Sequence, residues 1–151
     1  MISIIDFEPR YAADFRELNL HWLEQYKLTE APDLVVINNP QEEIIDKGGF
    51  IFLAKAGEQI VGTAGLIMET ATQYELVKMA VAPALQGNGI SKQLLEACLK
   101  KAKQAGATRV YLHSNSQLTT ALALYEKYGF THIPVQNAHY ITADIMMELW
   151  M

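Results

Sequence analysis

The stretch Tyr74-Glu-Leu-Val-Lys-Met-Ala-Val-Ala-Pro-Ala-Leu-Gln-Gly-Asn-Gly-Ile-Ser91 reads as a strand, a short turn and a glycine-rich entry into a helix. The apolar β-like run Tyr74 to Val81 ends before Pro83, and Gly87 and Gly89 let the backbone turn tightly. A helix starting at Ile90 presents amide N–H groups that lack intrahelical partners. Backed by the helix dipole, those donors suit a phosphate.

Downstream, Ile90, Leu94, Leu95, Cys98 and Ala102 mark one face of that helix, and Lys92, Glu96, Lys100 and Lys103 mark the other. The helix ends near Gly106, and Arg109 to His113 follows as a strand, so strand, helix and strand predict a crossover with parallel neighbours. Leu118 to Tyr128 reads as a second helix closed by Gly129, with Leu118, Leu122 and Tyr125 toward the core. Phe130 to Val135 and Asp144 to Trp150 read as strands. Upstream, Phe50 to Lys55 and Ile60 to Glu69 flank a hairpin turn and join Tyr74 to Val81 in an antiparallel meander. The chain begins with a strand, Ile2 to Phe7, and an amphipathic helix, Tyr11 to Tyr26, carrying Phe15, Leu18, Trp22 and Leu23. Lys27 to Pro40, with two prolines and Asn38-Asn39, is expected to be a loop, and Gln41 to Lys47 a short helix ended by Gly48-Gly49. No repeat or linker interrupts the pattern, so residues 1–151 are expected to form one mixed α/β domain.

The bulk properties narrow the function classes. Half of the 151 residues are hydrophobic and 19% are charged, as in ordinary globular proteins. The single Cys98 excludes an internal disulfide and suggests a reducing compartment. The N-terminus shows no basic region ahead of an apolar one, and no apolar run reaches bilayer length, so a cytoplasmic protein without a membrane partner is expected. The net charge of −5 argues against nucleic acid. It is unevenly spread: residues 1–50 carry ten Asp/Glu and four Lys/Arg, whereas residues 51–151 carry seven and eight. A polyanion near the glycine turn and a cationic partner nearer the first part fit this asymmetry, as do solvated helix faces.

Among phosphate motifs, Walker A fails because no Gly-Lys-Ser/Thr follows, and a dinucleotide fingerprint fails because Lys92 stands at the third glycine. Gln86, Gly89 and Ser91 instead occupy the defining places of the coenzyme A pyrophosphate loop of the GNAT acetyltransferase superfamily, with Ser91 departing from the usual Gly or Ala. The chain resembles that family most strongly through Glu75-Leu-Val-Lys-Met-Ala-Val81, Gln86-Gly-Asn-Gly-Ile90 and Leu124-Tyr-Glu-Lys-Tyr-Gly-Phe130, in the family's order. The resemblance implies a GNAT acyl-CoA N-acyltransferase fold. Its central twisted sheet is mostly antiparallel, with one parallel pair splayed to admit the pantetheine arm, and helices flank it. It further implies acetyl-CoA as co-substrate, with Met79, Ala80, Val81, Gln86, Gly87, Asn88, Gly89, Ile90 and Ser91 as the coenzyme-contacting stretch.

Acetyl transfer to an amine needs a neutral nucleophile, stabilisation of developing oxygen charge and a proton for the departing thiolate. On a regular strand Glu75 shares a face with Val77, Met79 and Val81, an apolar setting that raises a carboxyl pKa toward that of a useful base. By resemblance Glu75 is the general base, although many family members deprotonate through water, and Tyr125 is the acid near the sulfur. A glutamate facing water and a core tyrosine are the structural alternatives. A backbone N–H near Met79 to Val81, where the family strand bulges, would meet the oxygen. Many relatives carry an asparagine seven residues before the tyrosine; here that position is Leu118, and Asn115 either contacts coenzyme A or caps the next helix. His113 and His139 are read as structural, with no metal. Glu17, Glu24, Glu30, Asp33, Glu42 and Glu43 would form an acidic wall attractive to an amine of a small molecule or peptide, with Trp22 and Tyr26 lining the groove or the core. A non-catalytic acyl-CoA-binding module stays open as an alternative. So does a homodimer through the apolar Ile145 to Met151 run.

Overall fold

A computed structural model describes residues 1–138 and 140–151. Seven strands form one sheet: β1 (Ile2–Asp6), β2 (Phe50–Ala56), β3 (Gln59–Thr70), β4 (Gln73–Val81), β5 (Arg109–Ser114), β6 (Thr131–Ile133) and β7 (Ile145–Trp150), in the order β1-β2-β3-β4-β5-β7-β6. Every neighbouring pair is antiparallel except β4 and β5, which are parallel. The C-terminal run lies between β5 and β6, so both of its edges are paired within this chain.

Among the described residues four α-helices cover the sheet: α1 (Ala12–Gln25), α2 (Ala31–Asn38), α3 (Ile90–Gln104) and α4 (Thr119–Lys127). Period-2 alternation in β2 assigns the faces. Phe50, Phe52 and Ala54 join the core under α3 and α4, while Ile51 and Leu53 join Phe15, Ile37 and Ile44 under α1 and α2. The α3 helix buries Ile90, Leu94, Leu95, Cys98 and Ala102, the five residues its period selects. Its lysines 101 and 103 fall in the last turn, where the helix dipole favours cations.

The expected loop from Lys27 to Pro40 is instead largely helix α2. Its prolines stand at helix boundaries rather than inside: Pro32 occupies the first turn, where a missing N–H costs nothing, and Pro40 follows the C-cap. The Oδ2 of Asp33 accepts the N–H of Glu30 at 2.9 Å and closes the N-terminus. Gln41–Ile45 is a single π-helical turn. No helix among the described residues is long and apolar enough to cross a membrane.

Candidate active site

The β3–β4 ladder contains the fold's main irregularity. Gly65 pairs with Val77 and Thr63 with Ala80, so between these pairs one residue of β3, Ala64, opposes two of β4, Lys78 and Met79. The extra residue is Lys78, at φ +55°, a bulge in left-handed conformation. A one-residue insertion inverts all later side chains. Val77 therefore packs on the α1 side while Met79 and Val81 pack on the α3 side. The expectation that Glu75 shares a face with Met79 and Val81 is thus corrected: it does so only with Val77, because the strand is not regular.

The parallel ladder ends early. Its pairs are Gln73 with Arg109, Tyr74 with Val110 and Glu75 with Tyr111, and beyond them β4 and β5 separate. A cavity of about 820 Å³ fills this gap and runs from the glycine turn to α1 and α2. Gln86, Gly87, Gly89, Ile90, Ser91 and Lys92 line one end. Gly87 and Gly89 adopt φ +86° and +76°, and a Cβ on either would meet nothing within 4 Å. Backbone strain rather than crowding excludes other residues, and the space above the turn is open to a ligand. The first turn of α3 holds no acidic residue and no side-chain cap, so its donors are left for an anion. Gln86 Nε2 donates to the Val81 carbonyl (3.3 Å) and Asn88 Nδ2 to that of Leu85 (3.1 Å), which fastens the turn to the end of β4. The side chain of Ile90 is buried in the core, so only its backbone can reach a ligand. These features fit a pyrophosphate-bearing coenzyme.

Glu75 and His113 meet at the gap. His113 Nδ1 lies 3.2 Å from Glu75 Oε2, and its Nε2 lies 3.1 Å from the Gln136 carbonyl. Both side chains are nearly buried. A carbonyl can only accept, so Nε2 carries a proton, and one further proton is shared between Nδ1 and the carboxylate. The hydrogen bond to Glu75 raises the His113 pKa against the opposing effect of burial, and the Gln136 carbonyl adds to the rise. The setting of Glu75 is therefore an acid–base pair and not the apolar surface expected. Tyr125 lines the same cavity, its hydroxyl 4.0 Å from Met79 Sδ and its ring 5.8 Å from that of Phe130. Burial pushes its pKa up, so the phenol keeps its proton.

Lys78 extends from the bulge to Asp33 of α2, with Nζ 2.5 Å from Oδ1 and 3.4 Å from the Tyr140 hydroxyl. The side chains of this pair are only 8% and 5% exposed. Trp22 and Tyr26 line the cavity beside it, with ring centroids 5.0 Å apart. The acidic wall, in contrast, is largely occupied by internal contacts. Asp33 holds Lys78, Glu43 pairs with Lys47 and Glu17 with Arg16. Glu30 accepts the N–H groups of Ile141 and Thr142, both at 2.9 Å, and the Thr142 hydroxyl.

Glu30 thereby fastens Ile141 and Thr142, and Thr142 lines the cavity. Asn115 assists: its Nδ2 donates to the Thr142 carbonyl (2.7 Å) while its Oδ1 accepts the Gln117 N–H (2.9 Å). Both ends of the Asn115 amide are thus engaged within the chain, and Leu118, not Asn115, is the N-cap of α4. Asn115 also lines the cavity, beside Ser114 and Leu118. His139 lies outside the described residues. Among those described, no three His, Cys, Asp or Glu side chains gather as a metal set. Composition and spacing gave no prominence to Asn19, Thr63, Lys78 or Tyr140, and set His113 aside; all except Thr63 line the cavity.

An opened parallel strand pair, a bulge at its mouth and a helix N-terminus at its end frame one elongated cavity in the sheet. Residues 12–130 match the Acetyltransferase (GNAT) family, and the chain belongs to it. It is 32% identical over 104 residues to the uncharacterized N-acetyltransferase YvbK of Bacillus subtilis, covering 67% of each chain. Several other curated relatives are matched over less than half of their own length. Among solved structures, a GNAT-family acetyltransferase from Staphylococcus aureus superposes with TM-score 0.88 at 22% identity, covering 98% of both chains. PaiA N-acetyltransferase from Thermoplasma acidophilum, in complex with coenzyme A, does so with TM-score 0.78 at 18% identity, covering 100% and 99%.

Proposed function

We propose that this chain transfers the acetyl group of acetyl-CoA to a primary amine of a small molecule or peptide, by direct attack within a ternary complex. The observation that carries the reading is one cavity in which the α3 N-terminus, the Lys78 bulge, Tyr125 and the Glu75–His113 pair all meet. Acetyl-CoA supplies an activated thioester. The chain's own groups have separable tasks. The amides from Gly87 to Ser91 bind pyrophosphate, with Met79, Ala80 and Val81 beside the pantetheine arm. The bulge presents an N–H to the thioester oxygen. The Glu75–His113 pair takes the amine's proton, and Tyr125 gives one to the thiolate.

Free thiol release from acetyl-CoA with a panel of amines tests this reading. Tyr125→Phe is expected to lower the rate at unchanged acetyl-CoA affinity, and an unchanged rate removes Tyr125 from the mechanism. Tight acetyl-CoA binding without turnover on any amine class would favour the non-catalytic alternative.

A further inference from the structure

We infer that Asn19 and Thr63 are positioning residues for the transfer step: they hold the Lys78 carbonyl so that the Met79 N–H stays aimed into the gap between β4 and β5. The inference rests on the acetyl-transfer reading above for its catalytic consequence, though not for its geometry.

Lys78 holds a left-handed conformation that is disfavoured for any residue with a Cβ, so surrounding contacts must fix it. The Thr63 hydroxyl, fully buried on β3, donates to the Lys78 carbonyl at 2.8 Å. Asn19, 2% exposed on α1, donates through Nδ2 to Thr63 Oγ1 at 3.1 Å and to the Phe15 carbonyl at 2.9 Å. The direction of this chain is unambiguous. The Phe15 carbonyl can only accept, which places Nδ2 there, and the Thr63 oxygen, already accepting from Nδ2, must give its own proton to Lys78.

Planarity then orients the next donor. The peptide between Lys78 and Met79 is trans, so its N–H points opposite to its C=O. Because the carbonyl is drawn toward β3, the Met79 N–H faces away from β3, where β5 has already separated. At its other end Lys78 is tied to Asp33, so the bulge is gripped through its main chain from α1 and through its side chain from α2. Asn19 and Thr63 are neutral polar side chains that are fully or almost fully buried, and each is satisfied within this network.

The test combines ligand-free and ligand-bound measurements on the full chain. In backbone NMR without ligand, Thr63→Val is expected to shift the Lys78 carbonyl and Met79 amide resonances, whereas Thr63→Ser leaves them near their wild-type positions. In wild type, acetyl-CoA but not coenzyme A should move the Met79 amide downfield. In kinetics, Thr63→Val should reduce kcat roughly tenfold or more, since a lost oxyanion donor typically costs 10²–10³. KM for acetyl-CoA should stay within about twofold, and Thr63→Ser should restore kcat. Asn19→Ala, which leaves the hydroxyl in place but unanchored, should fall between and serves if Thr63→Val does not fold. Unshifted Lys78 and Met79 resonances in Thr63→Val, an unchanged kcat, or equal impairment by Ser and Val would overturn the inference. A wild-type chain that binds no acetyl-CoA would overturn the transfer reading and the catalytic role together, while the ligand-free spectra would still judge the clamp.

Discussion

Replacing Asp33 by alanine isolates what the Lys78–Asp33 pair contributes. Both side chains are almost fully buried, and among the described residues Lys78 also meets the Tyr140 hydroxyl at 3.4 Å. Removing one partner of a buried pair leaves an uncompensated charge, at a cost of about 3–5 kcal/mol. Asp33 also accepts the Glu30 N–H at the start of α2, which adds about 1 kcal/mol. The open cavity beside Lys78 lets water reach part of the orphaned ammonium, so the lower end of the range applies and the expected total is about 4 kcal/mol. For a chain of this size that lowers Tm by roughly 8–16 °C. Urea unfolding followed by far-ultraviolet circular dichroism measures the change, with a shifted midpoint at constant m as the signature of a stability effect. The exposed pair Lys47–Glu43 is the control, and Glu43→Ala should cost no more than about 0.5 kcal/mol. Removing both charges, as Asp33→Leu with Lys78→Met, should recover most of the loss, because two apolar groups need no compensation. A cost below about 1 kcal/mol for Asp33→Ala, or a double variant no more stable than the single one, would refute this account of the pair.

Two further outcomes follow from the site. The raised His113 pKa means that the Glu75–His113 pair keeps its proton past the ordinary histidine value of 6.5 and releases it only at higher pH. Accordingly kcat/KM is expected to climb with pH through an inflection above 6.5, while the stability given by the imidazolium bridge is complete below that value and fades as pH rises through the inflection. His113→Phe should abolish the inflection, and a flat profile in wild type would remove the pair from proton transfer. Gly89→Ala forces a Cβ into φ +76° with no neighbour to strike, so it should cost about 1–2 kcal/mol of stability and weaken coenzyme A binding by calorimetry; unchanged affinity would place the anion elsewhere.

What the sequence made legible divides along physical lines. The five buried residues of α3 follow from a 3.6-residue period, and the parallel strand pair follows from a helix-length crossover, because both depend on local pattern. The α2 helix was hidden by two prolines, which break a helix only in its interior; here they stand at its boundaries, and Asp33 caps its start. The bulge is a different matter. Glu-Leu-Val-Lys-Met-Ala-Val alternates acceptably in either register, so nothing local says that an extra residue sits at Lys78 or that Met79 turns away from Glu75. What selects it is spread over distant positions: Asn19 and Thr63 at the carbonyl, and Asp33 at the ammonium.

The same distribution explains why His113 reads as structural from sequence and why the internal partners of the acidic residues are not visible there. A lone histidine gains chemical meaning only when a carboxylate and a carbonyl converge on it from other elements, as Glu75 and Gln136 do. A run of carboxylates loses its pull on an amine once its members serve as caps and partners, as Glu30 and Asp33 do. On the proposed reading, site chemistry therefore sits where the sheet departs from regularity: the opened ladder provides room and the bulge at Lys78 would redirect a backbone donor. The surrounding polar side chains, each unremarkable in sequence, hold a backbone conformation that Lys78 would not keep unaided.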